Sequence, residues 1–432
     1  MDKTKIIVFA VIGLIVIIIV VVIMLNPFKS AAPALVTLEF WSVFDNSDVY
    51  QPLILKYQQL YPNVTINYYK KNVTSYESDL VGALAAGKGP DIFSINNTWL
   101  PKHKNKLAPA PATLITPARF SEVFVDVAGQ DLIDGNDVYA FPLSVDSLAF
   151  FYNKDLLNSA GLAAPPKTWT DFNAAVERLT KRDSKNNILQ AGAALGTAKN
   201  INRSTDILAA LMLQSGAKMV NDDKSAASFG QSISSASGSF SPGKQALIFY
   251  TNFANPALKV YTWNQFQHYS LDAFVDGQAA MTLSYAYQIP VIRARAPHLN
   301  FAVSALPQIS ASGNKVTLAN YWAQAVSKSS KNQAAAWQFI AWLTSQANSQ
   351  AYLDATKKPA ARRDLIDGQT GDADLGIFAQ QALYAKSWWE IDNSAIEGIF
   401  ADMIESVVGS RVTADDAISR AETQVTMLMG KK

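Results

Sequence analysis

In this 432-residue chain the residues best placed to do chemistry are flat aromatics interleaved with polar side chains. Nine Trp and sixteen Tyr are present. Near predicted loops stand Trp41, Trp99, Trp263, Tyr285, Tyr287, Tyr321, Trp322, Trp388 and Trp389, with Asp45, Asn96, Asn97, Asp146, Asn264, Ser284, Arg362 and Asn393 beside them. A flat apolar face covers the C–H surface of a sugar ring, and fixed polar groups meet its hydroxyls. Aromatics also build cores: Trp337 and Trp342 fit helix packing, and Trp169 belongs to a Pro-Pro-Lys-Thr-Trp turn. Arg362, after Lys357-Lys358-Pro359, serves equally as a ligand contact or as half of a surface ion pair.

Reactive constellations are missing. His103, His268 and His298 are scattered without metal-ligand spacing, and no H-E-x-x-H, G-x-S-x-G or P-loop pattern occurs. Gly87-x-Gly89 runs into Pro90 and a strand, so it reads as a turn and not a phosphate cradle. The acidic segments Asp131–Asp137 and Asp367–Asp374 lack EF-hand spacing and read as solvated turns. Two carboxylates brought together by the fold would still suit glycoside hydrolysis. The expectation is a binding protein with no catalytic residues, no metal and no cofactor.

Bulk composition narrows the partners. Lys and Arg number 37 against 35 Asp and Glu, a net charge of +2, which gives no electrostatic ground for nucleic acid. Cysteine is absent, which excludes disulfides, a thiolate nucleophile and a lipidated cysteine anchor. The length accommodates two compact lobes.

The elements that must position these groups alternate between strand and helix. Residues 36–41 alternate as a half-buried strand, Asp48 opens a helix that Pro62 stops, and residues 64–69 form a second strand. Thr74-x-x-Glu77 reads as a capping box, and Asp91–Ile95 forms a third strand ending in Asn96-Asn97-Thr98-Trp99. The order β-α-β-α-β predicts a parallel sheet with helices on both faces and a ligand at the strands' carboxyl ends. Those ends carry Trp41, Asp45, Asn96, Asn97 and Trp99. Further on, Thr168-x-x-Asp171 and Thr413-x-x-Asp416 cap helices, residues 221–243 read as a loop or hairpin, and the last third is mainly helical.

At the N-terminus, Ile6–Leu25 runs twenty residues without a charge. At ~1.5 Å per residue it spans roughly 30 Å, a bilayer's hydrocarbon core. Lys3 and Lys5 precede it, which places the N-terminus in the cytoplasm and the rest outside. A cleaved signal has a shorter apolar region, of about 7–15 residues. Ala32-Pro33-Ala34 offers a cleavage site, but the length favours a retained anchor over residues 1–30, followed by a tether over 31–36.

Several segments in order carry a family resemblance: Leu38-Glu39-Phe40-Trp41, Gly87-Lys88-Gly89-Pro90-Asp91-Ile92, Tyr139–Leu143, Phe151-Tyr152-Asn153-Lys154-Asp155-Leu156-Leu157, Pro165-Pro166-Lys167-Thr168-Trp169, Phe274-x-x-Gly277-Gln278-Ala279-Ala280-Met281, and Val326–Asn332 with Ala336-Trp337-x-Phe339-Ile340. The chain resembles the family 1 extracellular solute-binding proteins of sugar ABC transporters, the maltose-binding-protein-like group, over residues 36–430. The resemblance implies an α/β, two-lobed periplasmic-binding-protein-like fold that closes by hinge bending on a carbohydrate. It implies delivery to ABC transporter permease subunits, with another solute or a surface glycan-active role as alternatives. It implies crossings near Pro142–Val145, Asn300–Phe301 and Ser345. Lobe 1 is then 37–143 plus 300–345, and lobe 2 is 144–299 plus 346–432. It also turns Tyr285 and the Trp388-Trp389 pair toward the ligand.

Overall fold

The computed structural model describes residues 2–25, 34–235 and 238–430. Residues 31–33 of the expected tether, and with them Ala32 and Pro33 of the triplet, therefore lie outside the described residues. Helix α1 (Lys3–Leu25) has exposed side chains at Ile7–Ile18 and Val21. Counted over the described residues alone, no helix is long and apolar enough to cross a membrane.

The first lobe is organised around β1 (Val36–Ser42), where alternation buries Leu38, Phe40 and Ser42. It lies parallel between β2 (Val64–Lys70) and β3 (Ile92–Asn96), with Leu38 opposite Ile66 and Phe40 opposite Ile92. Helices α2 (Ser47–Leu60) and α3 (Tyr76–Ala85) make the crossovers. β4 (Leu107–Ala108), β5 (Ala140–Pro142) and β11 (Trp322–Ser327) complete a six-stranded sheet among the described residues. The sheet is mixed and not parallel as expected, because β11 runs antiparallel to β3, β4 and β5. That strand arrives from the other lobe, so no βαβ crossover fixes its direction.

The second lobe holds an antiparallel sheet, β8 (Met281–Ser284), β7 (Ala149–Asn153) and β9 (Phe301–Ser304), in that order. Around it pack α4 (Trp169–Leu179), α5 (Ser204–Gln214), α8 (Asn393–Val408) and α9 (Ala414–Met429). The caps expected at Thr168 and Thr413 are present: each hydroxyl accepts from the amide three residues on, at 3.1 Å. The capping box at Thr74 is not formed, since α3 starts at Tyr76 with Ser75 before it. The 221–243 segment contains a hairpin pairing Ile233–Ser235 with Gly238–Phe240.

Core membership locates the crossings. Val145 packs in the first core and Leu148 in the second, Leu318 in the second and Ala319 in the first, Ala385 in the first and Trp388 in the second. A small sheet ties the three together: β10 (Thr317–Asn320) pairs with β6 (Asp146–Ser147) and with β12 (Ala385–Lys386). Phe301 is bound into the second lobe's sheet opposite Asn153, and α7 (Gln346–Thr356) packs on the first lobe, with Tyr352 in its core. The boundaries near 300 and 345 thus move to about 318 and 385, because strand pairing and helix burial hold those segments.

Candidate ligand-binding cleft

A cleft of about 530 Å³ opens between the lobes. The first lobe contributes the ends of β1, β3 and β11, and the second contributes Arg203, Tyr287 and the start of α8 with Asn393, Ser394 and Glu397. On the first-lobe wall Trp99 stacks on Tyr76 at 6.0 Å and meets Trp322 edge-on at 5.1 Å; Phe44 meets Trp322 at 5.7 Å. Phe44 is 52% exposed and sits at φ 63°, a left-handed backbone that a bulky residue adopts only at a cost. Opposite, Tyr287 is 45% exposed and lies parallel to buried Tyr285, 6.0 Å away. Both walls thus present aromatic faces.

Polar groups of the cleft are held by partners. Asp45 accepts from Tyr352 Oη at 2.7 Å and from Lys358 Nζ at 2.5 Å. Asp146 sits on the crossing itself and accepts from the amides of Ser147 (2.8 Å), Ala286 (3.0 Å) and Tyr287 (3.3 Å). Burial pushes its carboxyl up to about 7, and the three amides only partly offset that. Arg203, at φ 58°, pairs Nε with Asp206 Oδ2 at 3.0 Å and lies 3.8 Å from Glu397. Tyr285 Oη donates to the same Asp206 oxygen at 2.6 Å.

One ion bridge joins the lobes at the cleft's rim. Lys102 Nζ lies 2.8 Å from Glu77 Oε1 in the first lobe and 2.7 Å from Asp392 Oδ2 in the second. Asp392 also caps α8 by accepting from the Ala395 amide at 3.2 Å. His103 bonds Glu77 at 2.7 Å; that contact first, and Lys102 after it, pull the Glu77 carboxyl down to about 2 against the effect of burial.

Two further spaces lie between the lobes. A chamber of about 40 Å³ is lined by Asn96, Asn97, Asp206, Glu390, Asn393 and Glu397. Burial, then the charges of Asp206, Glu397 and Asp131, push Glu390 well above the usual carboxylate range. A second groove of about 550 Å³ is lined by Leu100, Lys104, Asp131, Lys224, Trp388 and Trp389 among others.

Of the residues expected to meet a ligand, Asp45, Asn96, Trp99, Asp146, Tyr287, Tyr321 and Trp322 line the cleft, as does Asn393 among the polar groups beside them. The others are placed elsewhere. Trp41 lies under the Lys71 ammonium, 3.6 Å from its ring centroid. Asn97 donates to Asp131 at 3.0 Å in the chamber wall. Trp263 is fully buried in the second core. Asn264 is tied to Tyr261 Oη at 2.8 Å, and Ser284 is buried in β8. Tyr285 is buried behind Tyr287, and Arg362 is engaged by Asp364 and the Thr344 carbonyl. Trp388 stacks on Phe400 at 5.8 Å in chamber and groove, and Trp389 lines the groove. Tyr285 and Tyr287 are two apart, yet one is buried and the other exposed, because both lie beyond the end of β8, where strand alternation no longer holds.

The cleft also holds Phe44, Glu77, Arg203, Asn320, Gln324, Tyr352, Lys358 and Glu397, which sequence reasoning did not select. Position at a strand's end could have found Asn320, since it closes β10 just after the chain passes between the lobes. Arg203 and Lys358 carry no local signal. Among the described residues no group of three or more His, Cys, Asp or Glu is arranged to hold a metal ion.

Two α/β lobes, three crossings tied in one small sheet and a cleft walled from both sides define a hinged solute-binding protein. Residues 44–350 match the family model for the bacterial extracellular solute-binding proteins, and the chain belongs to that family, whose members bind solutes rather than transform them. A Brucella abortus (strain 2308) protein named for a binding role is 23% identical over 357 residues, 78% of this chain and 81% of its own. The sugar-binding protein of Xanthomonas citri superposes with a TM-score of 0.75 at 21% identity, over 91% of this chain and 98% of that one. The cyclic alpha-maltosyl-1,6-maltose-binding protein of Arthrobacter globiformis gives 0.75 at 19% identity, over 92% and 99%. At these identities the superpositions establish the fold.

Proposed function

We propose that this chain is an extracytoplasmic receptor that captures a carbohydrate between its lobes and hands it to the permease subunits of an ABC importer. The observation that carries the reading is the pair of aromatic walls, Phe44–Trp322–Trp99 and Tyr287, facing one polar cleft from separate lobes. Such walls suit the two faces of a sugar ring. The sugars in the names of the structural relatives point the same way. The cleft's cations are both engaged, Lys358 by Asp45 and Arg203 by Asp206, so an anionic solute such as glycerol phosphate finds no unpaired charge there. A neutral polyhydroxylated ligand fits better.

The ligand touches both lobes only when they close, so binding draws the population toward the closed form. The lobes move about the segments near 145, 318 and 385. Intrinsic Trp fluorescence titrated with mono- and oligosaccharides tests the reading. A saturable change with at least one sugar is expected; silence across the panel, with binding of a peptide or a phosphorylated solute, overturns it.

The proposal extends to α1 as a membrane anchor with the lobes outside. Its support is the uncharged run Ile6–Leu25, the preceding Lys3 and Lys5, and the exposed apolar side chains along the helix. The full chain is expected in the membrane fraction after an alkaline wash, and a variant beginning at Ala34 in the soluble fraction. Soluble full chain would remove the anchor from the proposal.

A further inference from the structure

The floor of the cleft carries a row of polar side chains across three strands. Ser42 on β1 and Ser94 on β3 share a hydrogen bond between hydroxyls at 2.8 Å, and Gln324 on β11 stands opposite Ser94 in the strand register. Directly opposed residues share one face of a sheet, so the three form a line, and all three line the cleft. Trp99 stands beside that line: its ring stacks on Tyr76, whose hydroxyl donates to the Ser94 carbonyl at 2.9 Å, and it meets Trp322, two residues from Gln324 on the same strand face.

Two atoms here are unpaired. Gln324, 4% exposed, has no hydrogen-bond partner at Oε1, and Trp99, 5% exposed, has none at Nε1. Buried polar atoms are normally satisfied; unlike unpaired core atoms such as Trp263 Nε1 and Trp337 Nε1, these two belong to residues of the cleft floor, where an arriving group can pair with them. A hydroxyl is the group that can accept from an indole N–H and donate to a carboxamide oxygen at once.

We infer that Trp99 Nε1 and Gln324 Oε1 form a hydroxyl-reading pair that decides which sugar the cleft accepts. The inference rests on the carbohydrate reading above. A sugar with a hydroxyl in reach of both atoms satisfies them; one lacking it leaves both buried and unpaired, which is the stronger form of discrimination. Occupation by an ordered water is the competing account.

The test uses the full chain and its Gln324→Leu and Trp99→Phe variants, titrated with maltotriose, mannobiose and tagatose and with monodeoxy derivatives of each. Wild-type protein is expected to bind one monodeoxy derivative about tenfold more weakly than its parent sugar. Each variant is expected to bind the parent about tenfold more weakly and that same derivative without further loss. A loss of equal size for parent and every derivative means that the pair holds only water and overturns the inference. So does a fall in the ligand-free melting temperature of Gln324→Leu, because removing an unpaired acceptor should leave stability unchanged or raise it. Failure of every sugar to bind wild-type protein removes the carbohydrate reading itself, a result distinct from either.

Discussion

Tyr287 is the residue whose loss separates binding from stability most cleanly. It is exposed on the second-lobe wall, so Tyr287→Ala should weaken sugar binding at least tenfold in a calorimetric titration while changing unfolding free energy by no more than about 0.5 kcal/mol. The buried carboxyls set a pH dependence of known sign. Asp146 and Asp131 have folded values near 7 and 6, above an unfolded value of 3.8, so the folded state holds their protons more tightly. Their contribution to stability is greatest below pH 4 and is lost as pH rises, through about 6 for Asp131 and about 7 for Asp146. Glu77 runs the other way: lowered from 4.5 to about 2, it stabilises above pH 4.5 and loses that contribution toward pH 2. Urea midpoints measured from pH 4 to 8 should fall less steeply in Asp131→Asn than in the wild type. Of the residues on which these expectations rest, sequence alone pointed to Tyr287 and Asp146. It gave no sign of Glu77 as a bridge member, because a carboxylate's partners come from segments distant in the chain.

At the scale of elements, Asp392 does two jobs that substitution can divide. It caps α8 and completes the Lys102 bridge between the lobes. Asp392→Asn keeps a good cap and loses the charge, whereas Asp392→Ala loses both and should cost about 1 kcal/mol more. Small-angle scattering of ligand-free Asp392→Asn should show a more open molecule, and 1 M salt should open the wild type in the same way, because the bridge is only partly buried. An Asp392→Asn variant as compact as the wild type would show that the bridge does not bias closure. Local elements of this kind were readable where the signal is local: the caps at Thr168 and Thr413 follow from four-residue patterns. Thr74 failed because Ser75 and Asp79 bond each other and the helix begins later.

For the whole molecule, alternation of strand and helix made the first lobe's β2-β1-β3 core legible, but not the return of the chain. Which lobe claims residues 301–385 depends on pairing with β7 and on packing against α2, contacts between segments far apart in sequence. The aromatic inventory was legible in type and not in address, since Trp263 and Tyr287 look alike until one is buried in a core and the other left on a wall. Crossings at 145, 318 and 385 imply that a disulfide designed across the cleft mouth should abolish binding in the oxidised form and restore it on reduction. The chain's lack of native cysteine makes that experiment unambiguous.

Phe44 and Arg203, both on the cleft, each hold a left-handed backbone, and Lys357 beside cleft-lining Lys358 does so too, at φ 52°. A glycine at 44 would relax there and should raise the melting temperature of the empty protein, since Phe at that φ carries on the order of 1 kcal/mol of strain. It would also remove a ring from the binding wall. Selection for heat resistance alone would therefore drift toward sturdier chains that no longer hold their cargo, and a screen meant to improve this receptor has to score capture and robustness together.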